Sequence, residues 1–279
     1  MQQTEPARPV FVVQHEDEAG LGRLTGRLGP VRLFRPDLGR PLPDPEELPD
    51  CAGLVVLGGV YGVWDDDVWP WLPATRALLA RAVAAGVPTL GICLGAQLLA
   101  AAAGGLVDQG EAGYEVGVTE VALAPAAASD RLFGQVRLRH GDRLEVVQCH
   151  RDAVLELPPG STLLAVGGQY PYQAFRVGDW AWGVQYHPEV LPEDFTVWTA
   201  DPSPEMLRSA PDLDAVTVRM HDAEERLAAL AESHAAAFRA VLRARGSLLP
   251  LPVDNAGYPD GLPESGLRAA AAGGADTTS

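Results

Sequence analysis

The sequence predicts an α/β fold, built on a mostly parallel, doubly wound sheet with an antiparallel extension. Up to Gly105, short apolar runs alternate with segments of helical spacing, and glycines or prolines separate them. Beyond Gly105 the helical segments give way to short strand-like runs, which indicates the antiparallel part. Helices are therefore expected on both faces of the sheet.

The first half of the chain supplies the predicted parallel strands and their helices. Strands are predicted at residues 10–13, 31–34, 54–57 and 87–92. Helices are predicted at residues 18–28, 71–85 and 94–103, with Pro73 tolerated in a first helical turn. Such alternation is typical of a sheet that is buried on both faces.

The second half supplies the predicted antiparallel strands and a helical C-terminal part. Strands are predicted at residues 116–123, 144–148, 162–166, 173–177 and 180–185. Residues 205–242 are helical in composition, with one apolar face that includes Leu227 and Leu230. We expect an N-terminal tail at 1–8, one domain at 9–195, a helical extension packed on it at 196–245, and a disordered tail at 246–279.

The charge of the chain excludes several function classes. Its formal net charge is -16, and its 21 basic residues are all arginines. Such an acidic chain repels phosphate backbones, so no nucleic-acid partner is expected. Lysine is absent, which excludes Schiff-base chemistry and the lysine of a phosphate-binding P-loop.

Cysteine usage and hydropathy predict a cytoplasmic protein without a metal, a cofactor or a membrane anchor. The three cysteines form no metal-like pair, and no secretory leader is recognisable. Residues 82–107 are uncharged and long enough to span a bilayer. Pro88 and several glycines break this run, so we expect a buried strand, a turn and a helix instead.

The segment Gly91-Ile92-Cys93-Leu94-Gly95-Ala96-Gln97 is the strongest chemical signal in the sequence. It lies between a predicted strand and a predicted helix, and it matches a nucleophile elbow with Cys in place of Ser. Glycines on both sides remove Cβ atoms that would clash in such a sharp turn. At the start of a helix, the thiolate of Cys93 would be favoured over the thiol. Taken alone, a small buried hydrophobic cysteine remains the alternative.

A second signal, Gln185-Tyr186-His187-Pro188-Glu189, follows the last predicted strand. A thiolate nucleophile needs a base that later acts as an acid, and histidine serves both roles near neutral pH. Residues two apart in an extended chain project to the same side, so Glu189 can orient the ring of His187. Taken alone, an ordinary strand-ending turn is the alternative.

The two motifs together resemble those of the class I, or triad, glutamine amidotransferases. In that family a G-x-C-x-G-x-Q turn and a later Q-[FY]-H-P-E segment supply a Cys, His and Glu triad. The resemblance spans residues 10–242, is that of a stand-alone member similar to the glutaminase domain of GMP synthase, and implies a flavodoxin-like sheet. Further matching motifs are Leu57-Gly58-Gly59, His150-x-Asp152, Leu157-Pro158 and Gln173-Ala174-Phe175.

The resemblance assigns roles to residues at the matching positions. Cys93, His187 and Glu189 would form the triad. The backbone N–H groups of Gly59 and Leu94 would form the oxyanion hole. The residues implied in substrate binding are Gly58, Gln97, His150, Arg151 and Asp152.

Two of these assignments compete with other interpretations. Gly59 is followed by Val60-Tyr61-Gly62-Val63-Trp64 in place of the proline-containing loop common in the family, which puts the second oxyanion donor in doubt. Arg151 and Asp152 could instead form a solvated turn with a surface ion pair. Trp64, Trp69 and Trp71 could line the pocket mouth or pack in the core.

The implied activity is hydrolysis of the glutamine side-chain amide through a γ-glutamyl thioester, with ammonia passed to an acceptor or a partner synthase. The same triad could instead cleave γ-glutamyl peptides or amines, because the carbonyl group under attack is the same. A non-catalytic binding protein on the same fold is a third hypothesis. It is disfavoured because no triad member is missing.

Overall fold

A computed structural model describes residues 8–210 and 212–246; apart from Arg8 and Gly246, the tails expected at 1–8 and 246–279 lie outside the described residues. The strands are β1 (Val10–Val13), β2 (Val31–Phe34), β3 (Gly53–Val56), β4 (Thr89–Ile92), β5 (Leu106–Gln109), β6 (Glu115–Leu123), β7 (Arg143–His150), β8 (Asp152–Glu156), β9 (Thr162–Val166), β10 (Ala174–Val177) and β11 (Ala181–Val184). The α-helices are α1 (Trp71–Ala84), α2 (Leu94–Ala102), α3 (Phe133–His140), α4 (Pro192–Trp198), α5 (Pro204–Ser209), α6 (Leu213–Asp222) and α7 (Glu224–Gly246).

The central sheet confirms the predicted fold class. Its strand order is β2-β1-β3-β4-β11-β10-β9-β6-β7. The strands from β2 to β11 in that order are parallel, and those beyond β11 pair in antiparallel fashion. Strands β5 and β8 form a separate antiparallel pair. The sheet is therefore mostly parallel with an antiparallel extension.

Both faces of the sheet are buried, as the continuous apolar runs predicted. Val10 and Val12 face a core that includes Phe238 of α7. Phe11 and Val13 face the opposite core, with side chains of α1 and α2. Successive strand residues point to opposite faces, so a strand covered on both sides must be apolar at every position.

The prediction of a helix at residues 18–28 is wrong. Only a short 3-10 turn forms there, at Gly22–Leu24. Gly22 and Gly26 adopt positive φ values of 44° and 72°, which an α-helix does not allow. A Cβ atom on Gly22 would lie 2.1 Å from the carbonyl oxygen of Glu189. The segment is therefore a glycine-dependent loop packed against the residues that follow β11.

The remaining differences concern elements that carry weak sequence signals. Helix α3 and strands β5 and β8 were not predicted, and the helical region 205–242 is divided among α5, α6 and α7. The side chain of Asp212 caps α6 by accepting from the N–H of Ala215, so a new helix begins there. Helix α7 packs on β7 and α3. The domain boundary at residue 195 stays a prediction.

Residues 82–107 contain the predicted buried strand, turn and helix, as β4, the turn at Cys93 and α2, and they also include the end of α1 and the start of β5, which was not predicted. No helix in the described ranges is long and apolar enough to cross a membrane.

Candidate active site

Cys93 lies in the sharp turn between β4 and α2 and is buried. Its φ of 50° is the one positive value at a non-glycine residue within the described chain. A Cβ atom on Gly91 would lie 2.4 Å from the carbonyl oxygen of Gly95, and one on Gly95 would lie 2.0 Å from that of Val56. Neither contact is sterically possible, so this turn requires both glycines. Backbone strain at a non-glycine residue of this kind costs on the order of 1–3 kcal/mol and concentrates at functional sites.

His187 meets Cys93 because β4 and β11 are parallel neighbours. Val184 pairs with Ile92, so the chain segments that leave both strands lie at the same edge of the sheet. The side chains of Cys93 and His187 are neighbours, since a Cβ atom on Gly58 would lie close to both of them. The Nδ1 atom of His187 lies 2.7 Å from Oε1 of Glu189, which leaves Nε2 free to face the sulfur. The structure thus brings the three residues predicted as a triad together as a chain of thiol, imidazole and carboxylate.

The electrostatics of this chain favour a charged imidazole. Burial alone would lower the pKa of His187, but the nearby carboxylate of Glu189 and the thiol of Cys93 oppose it and raise the pKa above its ordinary value. A buried carboxylate beside an imidazole stabilises the protonated ring. The ring can therefore hold the proton that a thiol gives up.

The loop at residues 18–28 fixes the backbone that carries this pair. The N–H of Arg23 donates to the carbonyl of Glu189 at 2.7 Å, and its side-chain Nε donates to the carbonyl of Val190 at 2.9 Å. On the other side, the N–H of His187 donates to the carbonyl of Val147 at 2.9 Å. The segment that holds His187 and Glu189 is thus anchored at both ends.

Gly58 packs tightly against the nucleophile and the histidine, and Gly59 packs against Leu94. A Cβ atom on Gly58 would lie 3.1 Å from Cε1 of His187 and 3.6 Å from Cβ of Cys93. A Cβ atom on Gly59 would lie 3.1 Å from Cδ2 of Leu94. The two predicted oxyanion-hole residues therefore lie next to each other, and Leu94 directly follows Cys93. Leu94 is the first residue of α2, where backbone N–H groups have no partner within the helix.

A cavity of about 420 Å³ opens onto the thiol. This volume lies in the range of ~300–1,000 Å³ that is typical of small-molecule sites. Of the residues predicted from the sequence, those lining the cavity are Gly59, Cys93, Gln97, His150, Arg151, Asp152 and His187. Gly58, Leu94 and Glu189 lie behind this lining, against Cys93 or His187.

The segment from His150 to Asp152 connects β7 to β8 and forms one wall of the cavity. Nδ1 of His150 donates to the carbonyl of Asp152 at 3.0 Å, and its Nε2 lies 3.1 Å from the buried carboxylate of Glu115. Arg151 pairs with Glu205 at 2.7 Å, the kind of ion pair that the alternative interpretation anticipated. Burial raises the pKa of Asp152, and the charge of nearby Asp65 adds to the effect.

Several lining residues were not predicted from the sequence. Glu16 accepts a hydrogen bond from the N–H of Val60 at 3.1 Å, next to the glycine pair. Burial raises the pKa of Glu16 to about 7. The ring of Trp198 packs on that of His187, with centroids 4.8 Å apart. Neither residue belongs to a motif of the sequence, and Glu16 lies far from all of them along the chain, so only the fold shows that both line the cavity.

The tryptophans predicted near the pocket mouth divide between the two roles considered for them. Trp64 lines the cavity and is half exposed. Trp69 and Trp71 pack on Tyr61, with ring centroids 4.4 and 5.9 Å from it.

Cys149 also lines the cavity. Burial and the neighbouring Cys93 raise the pKa of its thiol to about 12, so it stays protonated.

Within residues 8–210 and 212–246, no group of three or more His, Cys, Asp or Glu side chains could hold a metal ion. The chemistry that this site can perform without one is nucleophilic attack by sulfur, assisted by proton transfer through His187.

Comparison with known proteins places this site in a family. The profile of the family described as "Glutamine amidotransferase class-I" matches residues 39–198, which is more than half of the chain. The chain belongs to the class-I glutamine amidotransferase family. Its fold is similar to that of a glutamine amidotransferase from Thermotoga maritima, with a TM-score of 0.72 and 25% identity over 84% of this chain and 99% of that one. A glutamine amido transferase from Methylobacillus flagellatus gives a TM-score of 0.67 and 30% identity over 83% of this chain and 94% of that one.

Curated relatives carry two different activities in their names. Gamma-glutamyl peptidase 5 of Arabidopsis thaliana is 30% identical over 53% of this chain and 57% of its own length. GMP synthase [glutamine-hydrolyzing] of Xanthomonas campestris pv. campestris (strain B100) is 34% identical over 53% of this chain and 27% of its own length. The chain therefore spans little more than half of the peptidase and about a quarter of the synthase.

Proposed function

We propose that the protein hydrolyses the side-chain amide of glutamine with Cys93 as nucleophile. The thiolate sulfur attacks the amide carbon, and the carbonyl oxygen becomes an oxyanion. His187, holding the proton taken from the thiol, transfers it to the amide nitrogen as the carbon–nitrogen bond breaks. Ammonia leaves, and the γ-glutamyl group remains on sulfur as a thioester.

A water molecule completes the reaction in the same site. Neutral His187 takes a proton from this water as its oxygen attacks the thioester carbon. The carbon–sulfur bond then breaks, glutamate is released, and the sulfur departs as the thiolate beside a protonated imidazole. Glu189 holds the ring in one orientation through both steps, as its contact with Nδ1 at 2.7 Å supports.

The backbone N–H groups of Gly59 and Leu94 are the proposed donors to the oxyanion. The close approach of Gly59 to Leu94, which directly follows Cys93, supports this role, and Gly59 lines the same cavity as Cys93. We propose that Gln97 and Asp152 bind the amino-acid end of glutamine, because both line the cavity with polar atoms. Arg151 could bind the substrate carboxylate only by sharing or leaving its contact with Glu205.

The observation that carries this proposal is that the thiol of Cys93 and the imidazole of His187 are neighbours at the wall of a cavity, with the imidazole hydrogen-bonded to the carboxylate of Glu189. Its test is glutamate release from glutamine by the purified protein and by Cys93→Ala. We expect loss of activity in this variant and full activity in the matched control Cys51→Ala, which removes a buried thiol that bonds only to the carbonyl of Leu48. Equal activity in the wild type and in Cys93→Ala would exclude the mechanism.

We propose further that the ammonia is used at a second active site on a partner synthase, in the cytoplasm. The match to a glutamine-hydrolysing GMP synthase supports this idea, as does the absence of lysine for a phosphate-binding loop. Copurification with the tagged chain tests it. We expect an ATP-dependent enzyme that accepts glutamine as nitrogen donor only when this chain is present. A glutaminase that works at full rate alone and retains no such enzyme would contradict the proposal.

The second candidate is a hydrolase of γ-glutamyl peptides or amines. The similarity to a gamma-glutamyl peptidase favours it, and the cavity of about 420 Å³ has room for a larger leaving group. Both reactions would use the same triad, so only substrate competition separates them. A value of kcat/KM for γ-glutamyl dipeptides well above that for glutamine would replace the amidotransferase proposal with this one.

A further inference from the structure

Gln185 belongs to the motif that carries His187, but the mechanism above gives it no role. It follows β11 directly, is 2% exposed, and its backbone N–H donates to the carbonyl of Gln173 at 2.9 Å. Its side-chain Nε2 lies 3.6 Å from the sulfur of Cys93. A buried amide in contact with a nucleophilic sulfur either donates to it or presents its oxygen, and the two cases have opposite chemical effects.

The surrounding contacts decide which atom faces the sulfur. Nε2 of Gln97 lies 2.7 Å from the main-chain carbonyl of Asp152. A carbonyl oxygen only accepts, so the atom of Gln97 at this place must be its nitrogen. The same nitrogen lies 3.2 Å from Oε1 of Gln185, which must therefore be the acceptor. It follows that the NH₂ group of Gln185 points at Cys93.

This chain of contacts ends on a buried carboxylate. The carbonyl of Asp152 also accepts from Nδ1 of His150 at 3.0 Å. The other ring nitrogen of His150 lies 3.1 Å from the carboxylate of Glu115, which is itself buried. Reversing the amide of Gln185 would place its NH₂ group against that of Gln97 in a buried region, at the cost of an unsatisfied polar atom.

We propose that Gln185 is a further catalytic residue, whose amide N–H donates to the sulfur of Cys93 and favours the thiolate over the thiol. This inference rests on the proposed role of Cys93 as nucleophile. A hydrogen bond to the charged form of a group stabilises that form, and donors to anions are stronger than donors to neutral groups. The imidazolium of His187 and the amide of Gln185 together would hold the sulfur as an anion before substrate binds.

The test is the pH dependence of Cys93 alkylation by iodoacetamide in the full chain, followed by mass spectrometry of the peptide that contains Cys93. Gln185→Met keeps the length of the side chain but removes the donor. We expect the midpoint of alkylation to move up by about one pH unit and kcat for glutamate release to fall by about ten- to a hundredfold. A loss of stability that leaves the surroundings of the sulfur unchanged would not move the alkylation midpoint.

Gln148→Met is the matched control. Gln148 is another fully buried glutamine, and its amide donates to Oε1 of Gln173 at 2.8 Å. We expect this variant to lose stability without a shift in the alkylation midpoint. If Gln185→Met does not fold, Gln185→Asn serves in its place, because it keeps the amide but draws the donor back by one methylene.

An alkylation midpoint in Gln185→Met or Gln185→Asn equal to that of the wild type would overturn the proposal. Alkylation needs no turnover, so the outcome is separate from the fate of the proposed function. If Cys93→Ala retained glutaminase activity, the function would fail, whereas the contact between amide and sulfur would still be measured by alkylation.

Discussion

At the scale of single residues, the site depends on two buried charges that stabilise each other. Burial opposes the charged form of His187, and Glu189 together with Cys93 reverses that effect, so the pKa of the ring is raised. A buried charge without its partner is costly, which makes each member of the chain dependent on the others. The carboxylate of Glu189 is therefore an electrostatic part of the site as well as an orienting one.

Glu189→Gln keeps the shape of the side chain and removes its charge. We expect the pKa of His187 to fall in this variant, because burial is then opposed by Cys93 alone. Activity should fall by about 10²- to 10⁴-fold, as when the carboxylate of other triads is neutralised. Titration of the imidazole by NMR and measurement of kcat check the two effects. An unchanged pKa would show that the carboxylate does not govern the charge of the ring.

At the scale of elements, the strand-to-helix turn is held by contacts to backbone atoms that cannot move aside. A Cβ atom on Gly95 would lie 2.0 Å from the carbonyl oxygen of Val56 in the neighbouring strand. The glycine therefore serves the packing of α2 on β3 as well as the turn at Cys93.

Gly95→Ala is expected to lower the free energy of unfolding by about 1–3 kcal/mol, because a helix must shift to admit the methyl group. Gly168→Ala is the matched control, since a Cβ atom at Gly168 meets nothing within 4 Å and its φ is not in the left-handed region. Urea unfolding of both variants measures the difference. Equal free energies of unfolding for Gly95→Ala and Gly168→Ala would contradict the steric requirement for glycine at position 95.

The loop at residues 18–28 links the active site to the C-terminal helix. Arg23 is buried, donates to the carbonyl of Val190, and forms a bidentate pair with Glu224 at 2.5 and 2.6 Å. Arg27, on the same loop, forms an exposed pair with Glu232. The two arginines differ mainly in burial and in contact with the site.

Arg23→Met is expected to lower the free energy of unfolding by about 1–2 kcal/mol, because it leaves the carbonyl of Val190 without its donor. Arg27→Met should cost well under 1 kcal/mol, as is usual for exposed pairs. Chemical denaturation of the two variants compares the costs directly. A greater loss of unfolding free energy in Arg27→Met than in Arg23→Met would contradict the anchoring role of Arg23.

Local patterns predicted the strands whose residues are continuously apolar. Strand β1 was predicted at its observed bounds, because burial on both faces demands an unbroken apolar run. The loop at 18–28 could not be predicted this way. Its form depends on Gly22 meeting Glu189, a contact between residues far apart in the chain. The cavity residue Glu16 was missed for the same reason.

At the scale of the whole molecule, helix α7 is hydrogen-bonded to Tyr186, which lies in the motif of His187 directly after β11. His234 of α7 is buried between the carbonyl of Leu230, 3.0 Å from its Nδ1, and the hydroxyl of Tyr186, 2.9 Å from its Nε2. Burial lowers the pKa of His234 to about 4. The folded chain therefore holds this imidazole neutral at pH values where the unfolded chain protonates it.

The difference between the pKa of His234 in the folded and in the unfolded chain contributes to the pH dependence of the free energy of unfolding, and the sign of this contribution follows directly. Between about pH 6.5 and about pH 4 the unfolded state binds the extra proton, so the free energy of unfolding falls as the pH falls. The raised pKa of Glu16 acts in the opposite direction, since the folded state binds that proton more tightly. We therefore expect the contribution of His234 to the slope of unfolding free energy against pH to be lost in His234→Gln, so that this slope is smaller than in the wild type. Urea unfolding across this range measures it, with the exposed His221→Gln as control; equal slopes in all three proteins would be the contrary result.

The most direct measurement of the proposed mechanism is covalent trapping by a glutamine-derived diazoketone, followed by peptide mass spectrometry. Nucleophilic catalysis by Cys93 predicts one adduct, located on the peptide that contains Cys93, formed in step with loss of glutaminase activity and slowed by glutamine. Cys51→Ala should label like the wild type, and Cys93→Ala should not label. Glutamine turnover that continues with Cys93 fully modified, or inactivation with the adduct elsewhere, would contradict the mechanism.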